Sequence, residues 1–222
     1  EGDVDPERVL ALAEAALPKE LGCVPKADFG PEESLLPLES FRSVEMAVSA
    51  PQFLIGAKFR PVEEGPGLLR QRLVAQLALR LLVGSSSPFY AKLYSEGLIS
   101  HDFDYEADFT AGTGTVIIGG ESREPEKVLA LLQEEAAAVA KNGFDPERFR
   151  RAKRASLGAR LRGLEDFENV CVAMVTGVFS GYCAFDSISL LGEISREECE
   201  RFITETLTPE RLAISILTPK RN

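Results

Sequence analysis

The chain has 222 residues, 45% hydrophobic and 27% charged, with a formal net charge of −10, a balance that allows a globular core of ordinary size. Such an acidic field disfavours nucleic acid and anionic membrane as partners, and no apolar run nears the roughly 20 residues of a membrane helix. Four cysteines without a C-x-x-C pair exclude a zinc ribbon and are too few for a disulfide scaffold. Reduced thiols make the cytoplasm the expected location.

Asp5-Pro6 predicts a helix start, because the Asp side chain can accept backbone N–H groups and Pro fits the first turn. Val9, Leu10, Leu12, Ala13 and Leu17 follow as an apolar stripe at helical spacing, bounded by Pro18. Residues 20–40, with Gly22, Pro25, Gly30, Pro31 and Pro37, have little periodicity and read as a linker. Two strands are expected over 41–49 and 52–59, turned into a hairpin by Ala50-Pro51. The second is the more apolar and reads as more central. A helix over 68–83 presents a broad apolar face and ends at Gly84. A serine-rich turn then opens a short helix through Glu96, closed by Gly97.

Strands are expected over 100–110 and 113–119, joined by Ala111-Gly112. In the first of these Phe103, Tyr105, Ala107 and Phe109 alternate with Asp102, Asp104, Glu106 and Asp108, the clearest period-2 pattern in the chain. Helices are expected over 125–141, 145–162, 167–179 and 185–191. Ser195-Arg196-Glu197-Glu198 forms a capping box for one more, and 211–217 closes the chain as a strand. Strands in pairs and helices in runs predict an α+β fold, a largely antiparallel sheet with helices packed on one face. There is no G-x-G-x-x-G and no Walker loop, so a nucleotide-binding α/β reading lacks support.

Several side chains invite a chemical reading. The only histidine, His101, lacks the partners a zinc site needs, and adjacent strand residues point to opposite faces. Asp102, Asp104, Glu106 and Asp108 read as a solvated strand face rather than a cation site, which wants ligands converging from a bent loop. Cys171 lies in the run Val170-Cys171-Val172-Ala173-Met174 and reads as a buried thiol rather than a nucleophile. The basic run Arg148, Arg150, Arg151, Lys153, Arg154, Arg160 and Arg162 reads as the solvated face of a helix. With only Phe149 among those charges it is no RNA site.

The stretch Gly84-Ser85-Ser86-Ser87-Pro88-Phe89-Tyr90-Ala91-Lys92-Leu93-Tyr94-Ser95-Glu96-Gly97-Leu98-Ile99 resembles a segment of the pitrilysin, insulysin and mitochondrial processing peptidase family. In that family a helix ends in glycine, a serine-rich turn follows, and a glycine-leucine step leads into a strand. The opening Asp3-Val4-Asp5-Pro6-Glu7 resembles the end of the family's N-terminal half. The resemblance, closest to bacterial single-chain members, implies that 1–19 is the tail of a preceding half, 20–40 a linker and 41–222 a non-catalytic C-terminal half. In these inverzincins the N-terminal half carries H-x-x-E-H and a distal glutamate that bind Zn²⁺ and activate water. One histidine cannot supply that motif, so no catalytic residue and no metal ligand is expected here, and zinc is expected in the other half or in a partner subunit.

The family's C-terminal halves often send an arginine and a tyrosine toward the active site, and the matching places here hold Tyr94 and Ser100. Tyr90 and Tyr94, four apart on one helix face, and Ser100 are the expected peptide contacts. The implied role is a wall of a substrate chamber, closing over an extended peptide. A second copy of the chain is a further expected partner. The alternative reading is a non-enzymatic structural or assembly module derived from a peptidase.

Overall fold

The computed structural model describes residues 2–17, 28, 30–31, 33–110 and 112–220. Cys23 and residues 20–27, 29 and 32 of the proposed linker lie outside them. Helix α1 (Pro6–Ala16) starts where the sequence places it, with the Asp5 carboxylate accepting the Glu7 N–H at 3.0 Å. None of its residues is buried, and Val9, Leu10, Leu12 and Leu17 are all exposed.

Strands β1 (Phe41–Met46), β2 (Gln52–Phe59), β3 (Asp104–Thr110), β4 (Thr113–Glu121) and β5 (Ala213–Pro219) form one sheet in the order β1-β5-β2-β4-β3. Here the expected first hairpin fails. β5 inserts between β1 and β2, running parallel to β1 and antiparallel to β2. Leu212, just before β5, and Ile214 and Ile216 on its inner face complete the core beside Phe53 and Ile55 of β2. β1 is left as an edge strand with every residue exposed. The remaining pairings, β2 with β4 and β3 with β4, are antiparallel, so the sheet is largely antiparallel as the pattern implied.

Helices cover one face of this sheet. α2 (Pro66–Val83) is buried almost all round, including Leu69, Leu73, Leu77, Leu81 and Leu82. It lies against β3 and α8 (Arg196–Thr206) and is covered by α5 (Pro146–Gly163) and α7 (Asp186–Glu193). A helix with so broad an apolar face is stable only in such an enclosure. α3 (Pro88–Ser95) and α4 (Pro125–Asn142) complete the layer around Phe89, Leu93, Val128 and Leu132. α3 ends at Gly97, whose φ of +66° lets the Leu98 N–H reach back to the Leu93 carbonyl at 2.9 Å. α4 ends at Gly143, φ +69°, where any Cβ would stand 2.6 Å from Glu200 Oε1, the oxygen that accepts the Phe144 N–H at 2.8 Å.

Helix α6 (Phe167–Phe179) departs from its sequence reading. Only Val170 and Gly177 are buried, and Phe167, Val172, Met174, Val175, Val178 and Phe179 are exposed. Cys171, expected to be buried, is half-buried. The basic run on α5 departs too, because three of its cations turn inward. Lys153 donates to the carbonyls of Gly192 and Ile194 at 2.6 and 2.8 Å, where α7 ends and its dipole favours positive charge. Arg148 is half-buried over the Phe144 ring, and Arg160 bonds Gln76 at 2.8 Å. Arg150, Arg151, Arg154 and Arg162 form the expected solvated face.

Candidate functional site

Strand alternation decides which side chains are free to meet another molecule. Along β2, Phe53, Ile55, Ala57 and Phe59 point into the helical layer and are buried. Gln52, Leu54, Gly56 and Lys58 point to the opposite face. The register brings Leu54 beside Gly119 and Ser215, and Gln52 beside Glu121 and Leu217. Leu54, on the central strand, is 55% exposed. A Cβ on Gly119 would lie 2.5 Å from Leu54 Cδ2, so the leucine lies across the missing side chain of its neighbour. Hollows of about 440 and 290 Å³ flank Leu54 on this open face and share Asp102 and Gly120. Leu217 and Ser215 line the first, and Ile117 and Glu106 the second.

Asp104, Glu106 and Asp108 are exposed along β3 at one border of the face, and Asp102 precedes the strand. Among the described residues no three His, Cys, Asp or Glu side chains converge as a metal site. His101 is 90% exposed and meets Asp102 Oδ1 at 3.0 Å, two donors where tetrahedral zinc needs at least three from protein. The residues present therefore do not fit a zinc ion.

Tyr90 and Tyr94 do come together. Their rings stack with centroids 6.0 Å apart and planes 9° from parallel, an offset arrangement favoured by aromatic quadrupoles. Tyr94 is 60% exposed, while Tyr90 packs on Phe103 at 5.9 Å, and Phe103 meets Phe53 at 6.5 Å. The ladder runs from solvent into the core. Ser100 is not part of it. Its Oγ accepts the Asp102 N–H at 3.4 Å, in the loop that carries Asp102 onto the open face. No hydrogen bond links it to either tyrosine among the described residues.

The thiols separate by environment. Cys199 is fully buried on α8, and burial with the nearby Glu198 charge pushes its pKa up to about 12. Cys183 is exposed. Among the described residues the partner of His101 is Asp102, and neither thiol has a histidine beside it to form a nucleophile–base pair.

Sequence reasoning missed the open sheet face and the outward apolar side of α6. The first left a trace in Leu54, Leu217 and Ile117, apolar residues on the wrong side of the alternation. The second left none, because an apolar helix reads the same whether its cover comes from this chain or another.

Comparison with known proteins places these features in a family. The model of the peptidase M16 inactive domain matches residues 2–156. A Bacillus subtilis protein named uncharacterized zinc protease YmfH is 29% identical over 184 residues, 81% of this chain and 42% of that protein. A crystal structure of a candidate M16-like peptidase from Alicyclobacillus acidocaldarius superimposes with a TM-score of 0.87 at 25% identity, over 98% of this chain and 52% of that one. The peptidase M16 inactive domain from Pseudomonas fluorescens gives a TM-score of 0.68 at 19% identity, over 99% of this chain and 52% of that one. The chain thus spans about half the length of these relatives.

Proposed function

We propose, since this chain belongs to the peptidase M16 inactive-domain family, that it forms one wall of a peptide-holding chamber whose zinc-bearing wall is another half or subunit. The parent protein would hydrolyse peptides by water attack at zinc, and this chain would supply surface rather than chemistry. The observation that carries the reading is the open sheet face, where Leu54 stands 55% exposed on a central strand with a hollow on either side, one holding Leu217 and the other Ile117 among polar and acidic side chains. More than half of that leucine's surface is left open to solvent. Burial of a full leucine side chain stabilises by about 1.5–3 kcal/mol, so such a face favours a second surface or a bound chain.

Tyr94 and Tyr90, stacked at the chain's surface, and Ser100, bonded to the Asp102 backbone, are the proposed peptide contacts. The exposed stripes of α1 and α6 are the proposed contacts to the zinc-bearing half or to a second copy. Cys183 and Cys199 as thiols suit a reducing compartment, and we place the protein in the cytoplasm.

The test is reconstitution. A zinc-bearing half with H-x-x-E-H is assayed on a quenched fluorescent peptide, with and without this chain. The expected result is hydrolysis that needs both, falls by tenfold or more with Leu54→Glu, and stops on chelation. Hydrolysis unaffected by the chain would overturn the chamber role. Stable co-purification with a partner lacking the zinc motif, with no hydrolysis, would favour the structural or assembly role instead.

A further inference from the structure

A different cavity, of about 360 Å³, lies on the helical side of the sheet between α2, β3, α5 and α7. Its volume falls within the range of small-ligand pockets, roughly 300–1,000 Å³. Leu73, Leu77, Leu191 and Ala107 give it an apolar wall. Arg80, Arg160, Tyr105, Ser156 and Gln76 give it polar groups. The two arginines come from different helices, the last turns of α2 and α5. In a chain of net charge −10, neither guanidinium has a carboxylate within ion-pairing distance among the described residues. The one acid at the cavity, Glu106, is exposed, and strand alternation sends its side chain to the face opposite Tyr105 and Ala107.

The groups are also held in place. Arg160 Nη2 donates to Gln76 Oε1 at 2.8 Å, a neutral partner that fixes the fork without cancelling its charge. Burial lowers the pKa of Arg160, so the site carries a cation partly stripped of water. Tyr105 is half-buried, and burial raises its pKa while the Arg80 charge opposes that rise. Its hydroxyl would lie 3.1 Å from a Cβ on Gly84, so the missing side chain at the end of α2 leaves room for it. A neutral hydroxyl donor, two unneutralised guanidiniums and an apolar wall are complementary to one chemistry, an anion of the carboxylate type on a small apolar body.

We propose that this cavity binds a small apolar carboxylate, with Arg80 and Arg160 as the charge-bearing contacts and Tyr105 as a hydrogen-bond donor. The ligand is about the size of one N-acylated apolar amino acid, whether free or as the last residue of a peptide. The site lies on the helical side of the sheet, meets one hollow of the open face only at Tyr105 and Glu106 of edge strand β3, and does not depend on the assignment of that face to the chamber.

Titration of the chain with N-acetyl-leucine, followed by calorimetry and by amide NMR shifts at Ala107 and Ser156, tests it. Binding is expected, with N-acetyl-leucinamide at least tenfold weaker because it lacks the charge. Arg80→Gln and Arg160→Gln are each expected to weaken the acid fivefold or more, and Arg160→Lys by less, with thermal midpoints within a few degrees of the parent. Acetyl-glycyl-glycyl-leucine binding more tightly than the single residue would identify a peptide end as the ligand, and equal binding a free acid. The proposal is overturned if the acid does not bind, if acid and amide bind equally, if inorganic phosphate binds as tightly as the acid, or if folded Gln variants bind unchanged.

Discussion

The carboxylate of Glu198 joins helix α8 to helix α2. Its oxygens accept from Arg70 Nε at 2.8 Å and Nη2 at 3.1 Å, and Oε2 also accepts the Ser195 N–H at 2.8 Å. In return Ser195 Oγ accepts the Glu198 N–H, closing the capping box read from the sequence. The Arg70 hydrogen bonds hold the Glu198 carboxyl below its usual value of 4.5. A carboxylate with a depressed folded pKa contributes stability above its unfolded pKa and loses it as pH falls through the folded value. Glu198→Ala should therefore cost about 1.5–3 kcal/mol at pH 7, and the gap to the parent should narrow below pH 4. Urea unfolding at the two pH values checks this, and an equal gap at both would contradict the linkage. Cys199 gives a second expectation at this scale. Its buried thiol, with pKa pushed up to about 12, should resist alkylation at pH 8 until the chain unfolds. Exposed Cys183 should react in the native state, and mass spectrometry of the labelled peptides distinguishes the two.

Among the elements, α6 and α2 show how similar composition leads to opposite fates. Both are rich in apolar residues at helical spacing. α2 is enclosed by the sheet, α8, α5 and α7, and α6 has only Val170 and Gly177 buried. Replacing Val178 (78% exposed) or Phe179 (80% exposed) with Glu should change the thermal midpoint of this chain by no more than a few degrees, since surface changes are usually worth within about ±0.5 kcal/mol. The same substitutions should weaken association with the zinc-bearing half, or with a second copy, by tenfold or more. Calorimetry of the chain and sedimentation of the mixture read the two effects separately. Loss of stability without loss of association would show that α6 serves this chain's own core. Edge strand β1 follows the same logic, because all its residues are exposed among the described residues.

In the whole molecule the layer order follows from the patterning, since one apolar face per strand and one apolar stripe per helix must be buried together. The sequence by itself determined the identity and approximate bounds of the elements from β1 to β5, because caps, glycine stops and alternation are local. Asp5, Gly97 and the Ser195–Glu198 box act within a few residues of themselves. It also determined that H-x-x-E-H cannot be written from one histidine, a matter of composition alone. Tertiary structure decided what depends on residues far apart in the chain. β5 took the place beside β2 that the Ala50-Pro51 turn had suggested for β1, because its alternating Leu212, Ile214 and Ile216 bury more than the exposed residues of β1 could. Arg80 and Arg160, remote in sequence, meet at one cavity only when α5 packs over α2. Leu54 reads as core in a linear pattern and stands open because every helix packed on the sheet among the described residues lies on its other face. Periodicity tells which residues seek burial, and only the assembled layers tell which of them find it within this chain.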